Sequence, residues 1–191
     1  MNSVDYCGRA IERHLRRLGC KRVIDIGCGN GAMTGMLAAA GFEMTGIEPD
    51  HDGFRIASET YPDIQFHNFG VYDDASHLGQ FDAVISSEVI EHLYDPAALL
   101  RMAHQLLLLN GVLILTCPHH GYVKNLLLSL SNRWDDHHEP ARVGGHIKQW
   151  SHRTMTNFLQ NNGFEPKVMS GAGRGWPIWA SLLAVAVKTD K

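Results

Sequence analysis

The run Val23-Ile24-Asp25-Ile26-Gly27-Cys28-Gly29-Asn30-Gly31 constrains this chain more than any other feature of its sequence. Apolar residues that lead directly into Gly-x-Gly-x-Gly, followed by a helical pattern, are typical of a buried strand, a tight turn and a helix start. Gly27 would allow the sharp turn, Gly29 a close approach to a ligand, and Gly31 tight packing where the helix begins. The free N–H groups of that helix start favour polar or anionic groups, so the run predicts a nucleotide-type site.

The glycines alone leave two kinds of ligand open, because Gly27-x-Gly29-x-x-Ala32 also satisfies the relaxed dinucleotide fingerprint. Asp25 interrupts the apolar strand two residues before the turn. A carboxylate there would attract an ammonium group and repel a pyrophosphate. Glu48 follows the next strand pattern, where an acid can accept both hydroxyls of a ribose in either case. Asp25 is therefore the residue that favours a ligand with an amino group.

Apolar, β-branched runs alternate with helical patterns along most of the chain. Such alternation predicts right-handed crossovers and a parallel sheet with helices on both faces. After an amphipathic helix at 5–18, we expect strands at 22–26, 43–47, 64–68, 81–86 and 111–117, and helices near 31–40, 50–60 and 96–109.

The pattern changes after the fifth expected strand, where Asn132–Lys148 is rich in Asp, His, Pro and Gly and has little periodicity. The elements expected around it are helices at 122–131 and 151–161 and strands at 164–169 and 181–188. The chain has 191 residues and neither a linker nor a repeat, so we expect one domain over 1–191. Within it, 119–150 is expected to form a lid or substrate loop.

Composition narrows the possible partners. A net charge of −3 gives no electrostatic footprint for nucleic acid. The most apolar stretch, Leu106–Cys117, is too short to span a bilayer, and the start of the chain lacks the apolar segment of a signal peptide. The four cysteines form no Cys-x-x-Cys pair, which predicts a reduced, cytoplasmic protein. A small-molecule acceptor is the expected partner, and the sequence does not reveal the oligomeric state.

Three successive segments resemble the motifs of class I S-adenosylmethionine-dependent methyltransferases, namely Asp25–Gly31, Gly46–Asp50 and Phe81–Ile85. They occur in the family's order, and the resemblance covers most of the chain. It implies an α/β, Rossmann-like fold with a seven-stranded, mostly parallel sheet, one antiparallel strand and helices on both faces. It also implies S-adenosylmethionine as the methyl donor and S-adenosylhomocysteine as the product.

The same resemblance implies a cofactor-binding set. The glycine turn would wrap the amino-acid end of the cofactor, Glu48 would bind the ribose, and the residues after the third strand would flank the adenine. Ser86 or Ser87 would line the methionine moiety. The full set is Asp25, Gly27, Gly29, Gly31, Glu48, Pro49, Val71, Tyr72 and Ser86.

A run of acids and a histidine, Glu88-x-x-Glu91-His92, follows the fourth strand. On a helical turn these residues would share a face, and two carboxylates with an imidazole suit Mg²⁺, Mn²⁺ or Zn²⁺. The run resembles that of the ubiquinone-biosynthesis O-methyltransferases and the small-RNA 2′-O-methyltransferases, which implies His146 as a further metal ligand. Simple packing of the helix beside the sheet, without a metal, stays open as the alternative.

Histidines are concentrated in the second half of the chain, with seven of the 12 between His104 and His152. Methyl transfer from a sulfonium is an in-line displacement, and a phenol acceptor would need a base that works near neutral pH. We expect His119 and His146 to be catalytic. His120, His137 and His138 are further candidates.

The leading hypothesis is O-methylation of a small hydroxylated acceptor, such as a phenol, a quinone precursor or a sugar-like molecule. A small-RNA 2′-O-methyltransferase-like enzyme is an alternative that the net charge disfavours. An NAD-type oxidoreductase is disfavoured by Asp25 and by the absence of a second substrate domain. A non-catalytic interaction module is disfavoured by the intact glycine turn and by Glu48.

Overall fold

The computed structural model describes residues 3–138, 141–175 and 178–189. The strands, in chain order, are β1 (Arg22–Ile26), β2 (Glu43–Ile47), β3 (Gln65–His67), β4 (Phe81–Ser87), β5 (Leu107–Pro118), β6 (Phe164–Ala172) and β7 (Ser181–Lys188). They form one seven-stranded sheet in the order β3-β2-β1-β4-β5-β7-β6. β7 runs antiparallel to both β5 and β6, and the remaining pairs are parallel. The predicted fold class is confirmed.

The helices are α1 (Ser3–Arg17), α2 (Ala32–Ala39), α3 (His51–Thr60), α4 (Pro96–Leu106), α5 (Tyr122–Leu130), α6 (Trp134–His138) and α7 (His152–Asn161). Alternate residues of each central strand reach opposite faces of the sheet, which explains why these strands are apolar throughout. Ile24 and Val84 join one core cluster with α4 and α7, whereas Val23 and Ala83 join the other with α1 and α2. Both faces of the sheet are therefore covered by helices.

Two expected boundaries were wrong. The helix expected at 96–109 ends at Leu106, because Leu107 already pairs with Phe81 of β4. The expected loop at 132–148 contains the short helix α6, in which none of the five residues is buried. The two acids in the first turn suit the helix dipole, so local electrostatics favour α6 without a packed face.

The strand order places a crevice at the carboxyl ends of β1 and β4. The crossovers run toward β3 from β1 and toward β5 from β4, so the direction of winding reverses between these two neighbours. Ligands of open α/β sheets bind at such a reversal. The glycine turn follows β1, and the Glu88–His92 run follows β4, so both motifs reach this crevice.

No helix among the described residues has the length and apolar character needed to cross a membrane.

Replacing Ile114 with alanine tests how much the sheet depends on β5. Ile114 is completely buried, and we expect Ile114→Ala to lower the free energy of unfolding by about 2–5 kcal/mol, because it leaves a cavity in the core. Leu109→Ala, at a side chain that is 61% exposed in the same strand, is the control and should change it by less than about 0.5 kcal/mol. Urea denaturation measures both, and equal losses would contradict this account.

Candidate functional site

The glycine turn joins β1 to α2 in a backbone conformation that side chains rarely adopt. Gly27, Gly29 and Gly31 have φ angles of 77°, 54° and 77°. A Cβ atom on Gly27 would also lie 2.6 Å from Cγ2 of Val89, so both the backbone and the space require glycine there. The Gly27 amide donates a hydrogen bond to the Ile47 carbonyl at 2.8 Å, which fixes the turn to the end of β2.

A cavity of about 390 Å³ lies beside this turn, and its walls are mostly apolar. Five of the nine residues of the expected cofactor-binding set line it: Gly27, Glu48, Pro49, Val71 and Tyr72. The remaining lining residues are Ile26, Ile47, Gly70, Glu88, Val89, His92 and Leu93. The cavity thus runs from the glycine turn to the start of the Glu88–His92 run.

Glu48 presents a fixed carboxylate to this cavity. Its Oε2 accepts a hydrogen bond from the Gly29 amide at 2.7 Å, and its Oε1 accepts one from the Asp50 amide at 2.9 Å. Each carboxylate oxygen has a further lone pair, so both could also accept a hydroxyl donor. The acid after β2 therefore holds the turn in place and can receive a diol.

Asp25 lies beneath the turn and is not part of the cavity lining. Its carboxylate is 1% exposed, and its Oδ2 accepts a hydrogen bond from the Thr34 hydroxyl of α2 at 2.7 Å. Burial raises the pKa of Asp25 to about 7, although the bond from Thr34 opposes that shift. The expected direct contact with an ammonium group is not supported by this position, because the side chain points to α2.

The two serines at the end of β4 use their hydroxyls within the sheet. Ser86 is buried and donates to the Ile26 carbonyl at 2.8 Å, which ties β4 to β1. Ser87 and Thr116 are hydrogen-bonded through their hydroxyls at 2.8 Å. Neither serine lines the cavity, so the expected contact of Ser86 with a methionine moiety has no direct support in this geometry.

Glu88, Glu91 and His92 do not share a helical face, which corrects that expectation. Glu88 has a left-handed backbone with φ of 58°, and a single 3₁₀ turn begins only at Ile90. The reason is that the Glu88 amide stays bonded to the Thr116 carbonyl of β5 at 2.9 Å, at the end of the sheet. Glu88 and His92 consequently line the cavity, whereas Glu91 does not.

Glu91, His92 and His146 form a compact cluster, with ligand atoms that all lie within 4.8 Å of one another. The Glu91 Oε1 atom is 3.9 Å from His92 Nε2 and 4.0 Å from His146 Nε2. The amides of Ile147 and Lys148 both donate to the Glu91 carbonyl, at 2.9 and 3.0 Å. These backbone bonds bring a distant part of the chain to the Glu91 side chain.

The electrostatics of this cluster suit a cation. Both Glu91 carboxylate oxygens are buried and accept no hydrogen bond from the residues that the structure describes. Burial, and to a lesser extent nearby Glu88, raise the pKa of Glu91 to about 8. Burial and His92 lower the pKa of His146, which keeps that imidazole neutral. A buried carboxylate without a donor is unfavourable, and a divalent ion held with neutral imidazoles would compensate it.

A second, smaller cavity of about 200 Å³ lies on the other side of His92. It is lined by His92, His138, Arg142, Gly144, Gly145, His146 and Ile147. His92 lines both cavities, so the two cavities adjoin at this residue. The site therefore offers two neighbouring compartments.

His119 lies at the end of β5 but lines neither cavity. Its ring packs edge-on against His152 and Trp179, at centroid distances of 5.4 and 5.6 Å. Its amide donates to the Ala180 carbonyl at 3.1 Å. The ring is thus held in an aromatic group between β5 and the residues that precede β7.

Some residues of the site carry no recognisable sequence signal. Val89 and Leu93 form apolar walls of the larger cavity, yet apolar residues after a buried strand predict only packing. Thr34 is different, because a single hydroxyl among the apolar residues of α2 is a usable signal for a buried polar partner. The partner is Asp25, the acid that interrupts β1.

The sequence of this chain is similar to those of known methyltransferases. A family model described as a methyltransferase domain matches residues 5–167. The ubiquinone biosynthesis O-methyltransferase of Aromatoleum aromaticum is 26% identical over 166 residues, which cover 84% of this chain and 70% of that protein. The enzyme of the same name from Psychrobacter arcticus is 33% identical over 121 residues, which cover 58% of this chain and 47% of that protein.

Solved structures agree on the fold. The magnesium protoporphyrin IX methyltransferase of Synechocystis PCC 6803, solved with bound SAH, superimposes with a TM-score of 0.74 at 18% identity, over 96% of this chain and 82% of that one. This likeness concerns the arrangement of the elements.

Replacing Asp25 with asparagine tests the buried carboxylate. In the unfolded chain this acid has its usual pKa of 3.8, whereas the folded protein keeps its proton to about pH 7. The folded state thus holds the extra proton between these values, so stability should fall as the pH rises from 4 to 7. We expect Asp25→Asn to flatten that fall without abolishing it, because Glu91 contributes in the same direction.

Urea denaturation at several pH values measures this slope. Asp63→Asn, at an exposed position, is the matched control and should retain the wild-type slope. A slope that is the same in Asp25→Asn and in the wild type would contradict the assignment.

Proposed function

Because the chain belongs to the class I S-adenosylmethionine-dependent methyltransferases, we propose that it methylates a hydroxyl group of a small acceptor. The proposed acceptor is a phenol, a quinone precursor or a sugar-like molecule. The observation that carries the proposal is the cluster of Glu91, His92 and His146, which adjoins the larger cavity through His92. The imidazole groups of this cluster are suited to remove a proton from a hydroxyl group.

The larger cavity is the proposed methyl-donor site. The space above Gly29 is open, since a Cβ atom there would meet nothing within 4 Å, so the turn could receive the amino-acid end of S-adenosylmethionine. Glu48 would accept the ribose hydroxyls, with Pro49 beside them, and Val71 and Tyr72 would flank the adenine. We assign Asp25, Gly31 and Ser86 supporting roles, because they hold the turn and strands from behind the cavity wall. When bound, the donor supplies an electrophilic methyl group.

The smaller cavity is the proposed acceptor site. His146 lines it and has a neutral imidazole that can take the proton of a hydroxyl group near neutral pH. His92 would orient the reacting oxygen between the two compartments, because it lines both. Placing that oxygen close to the methyl group, in line with the sulfur, supplies much of the rate in such a displacement.

A divalent ion fits the same cluster. Glu91, His92 and His146 would hold it, and Glu88 would add negative charge from the wall of the larger cavity. When bound, Mg²⁺, Mn²⁺ or Zn²⁺ would lower the pKa of the acceptor hydroxyl as a Lewis acid. The unpartnered oxygens of Glu91 are the feature that supports this part of the proposal.

The segment 119–150 is proposed to cover the acceptor. Its exposed apolar side chains favour a ring-bearing, mostly apolar molecule over a nucleic acid: Tyr122, Leu126, Leu127, Leu130, Val143 and Ile147. The net charge of −3 points the same way, because phosphate backbones are bound chiefly by cationic surfaces. We propose that His119, at the start of this segment, positions it rather than touching the acceptor.

A reducing, cytoplasmic setting belongs to the same proposal. Cys7, Cys20, Cys28 and Cys117 are all buried free thiols. Burial raises the pKa of Cys7 and of Cys20 to about 11, so these thiols are unreactive near neutral pH.

Gly27→Ala tests the donor site. The added methyl group would strain the turn and meet Val89, so we expect affinity for S-adenosylhomocysteine to fall at least about tenfold. Gly41→Ala is the matched control, because Gly41 also has a positive φ, of 97°, but a Cβ atom there meets nothing within 4 Å. Calorimetric titration measures both variants, and equal affinity losses would contradict the assignment of the cavity.

His146→Asn tests the acceptor chemistry. We expect the rate of methyl transfer to fall by about 10²- to 10⁴-fold, which is the usual contribution of a positioned acid or base. The measurement is transfer of an isotope-labelled methyl group to phenols, quinone precursors, sugars and a short RNA, with and without a chelator. His51→Asn, at an exposed histidine on α3, should keep the wild-type rate.

The arms of this assay separate the alternatives. A rate that drops on chelation and in Glu91→Gln supports the metal. Activity that is unchanged by chelation and by Glu91→Gln would exclude a role for the metal and leave His146 as the base. Methylation of RNA alone, or a wild-type rate in His146→Asn, would contradict the proposed acceptor site.

A further inference from the structure

Three histidines outside the cluster described above also lie together. His120 follows β5, whereas His137 and His138 form the last turn of α6. One ring nitrogen from each of the three lies within 4.8 Å of the others. The His137 and His138 rings are 5.0 Å apart, and the His120 and His138 rings are 5.4 Å apart. The helix α6 and the residues that follow β5 thus meet through their imidazole rings.

Three ring nitrogens in this group lack hydrogen-bond partners among the residues that the structure describes. Both ring nitrogens of His120, which is 7% exposed, are buried and have no hydrogen bond within the described part of the chain. The Nε2 atom of His138 is buried in the same condition. Leaving three polar nitrogens unsatisfied is unfavourable unless something binds them. A metal ion that accepts one lone pair from each ring would satisfy one nitrogen of His120 and the Nε2 atom of His138.

The charge state of these rings suits a metal. Burial, with a further contribution from Lys124, lowers the pKa of His120 to about 4. Burial also lowers the pKa values of His137 and His138. The three imidazoles are therefore neutral at pH 7, which is the form that binds metals. Three nitrogen donors without a carboxylate favour zinc and similar transition metals over Mg²⁺ or Ca²⁺.

We propose that His120, His137 and His138 bind a divalent transition-metal ion, for which Zn²⁺ is the probe, and that this ion fastens α6 to the end of β5. None of the residues of α6 is buried, so an ion would supply an attachment that packing does not. Gln149 Nε2 lies 3.2 Å from His138 Nδ1. If the Gln149 amide is rotated by 180°, its oxygen would accept a hydrogen bond from His138 Nδ1–H and orient that ring as a metal ligand.

Lys124 opposes this site and limits its affinity. Its ammonium group donates to the His119 carbonyl at 3.0 Å and lowers the pKa values of all three histidines, so its charge repels a cation there. Burial lowers the pKa of Lys124 itself, which lessens that repulsion. The site shares no residue with Glu91, His92 and His146. It is also independent of the identity of the methyl acceptor.

Zinc binding to the intact, metal-stripped protein tests the proposal. The Glu91→Gln/His92→Asn variant disables the other cluster, and we expect it still to bind one equivalent of Zn²⁺ in a calorimetric titration. On that background, His138→Ala should weaken binding by more than about 100-fold, since losing a ligand costs more than losing its outer support. His51→Asn on the same background is the matched control and should bind like its parent.

Limited proteolysis adds a structural readout. Zn²⁺ should slow cleavage within residues 132–150 of the Glu91→Gln/His92→Asn variant and leave the His138→Ala derivative unprotected. Circular dichroism checks that each variant is folded. If His138→Ala does not fold, His137→Ala, at an exposed position, takes its place.

Two results would overturn the proposal. One is the absence of Zn²⁺ binding at 1:1 stoichiometry in the Glu91→Gln/His92→Asn variant, which would mean that any zinc bound by the wild type sits at the other cluster. The other is zinc affinity and protection that are unaffected by removal of His137 or His138. Loss of methyl transfer would not bear on either measurement.

Discussion

The hydrogen bond between the Gly29 amide and the Glu48 carboxylate, at 2.7 Å, is the interaction on which the rest of the site depends. It joins the loop after β1 to the loop after β2, at the carboxyl ends of these two neighbouring parallel strands. The glycine turn can keep its left-handed backbone because this bond, and the one from Gly27 to Ile47, hold it from the side of β2. A carboxylate that also faces the cavity thus serves both the shape of the turn and the recognition of a ligand.

A similar backbone attachment builds the other half of the site. The carbonyl of Glu91 receives two amides from the segment after Gly145, and the Gly145 carbonyl lies 3.2 Å from His92 Nδ1. Main-chain bonds set the position of His146, so its side chain is left available to face the cavity. Residues more than 50 positions apart therefore meet through hydrogen bonds to the main chain.

The sequence was sufficient to predict the sheet. Near-continuous apolar strands and the glycine turn identify the fold, because few architectures bury strands on both faces and end one in Gly-x-Gly-x-Gly. The family assignment also removes the oxidoreductase alternative. The boundary at Leu107 was missed, since a run of leucines suits a helix as well as a strand, and only pairing with Phe81 decides between them.

The side chains of the site were harder to predict, for a physical reason. Asp25 was expected to face the ligand, but a buried acid can point to either side of a turn, and Thr34 determines which. The direction of the Glu88 side chain depends on the left-handed backbone of Glu88 itself and on the hydrogen bond from its amide to the Thr116 carbonyl. Neither feature produces a periodic pattern in the sequence. His146 could be placed only by resemblance, because its position follows from backbone bonds across the chain.

The antiparallel strand β7 has a consequence for how the protein is made. β5 is buried over residues 111–117, and in the part of the chain that the structure describes one of its edges pairs with β7, which begins at Ser181. During synthesis this long apolar edge stays unpaired until β7 has left the ribosome. An exposed, flat and apolar edge is a template for pairing with other chains. The strand β7 therefore protects the centre of the sheet, and a chain that lacks β7 would expose that centre as an aggregation site.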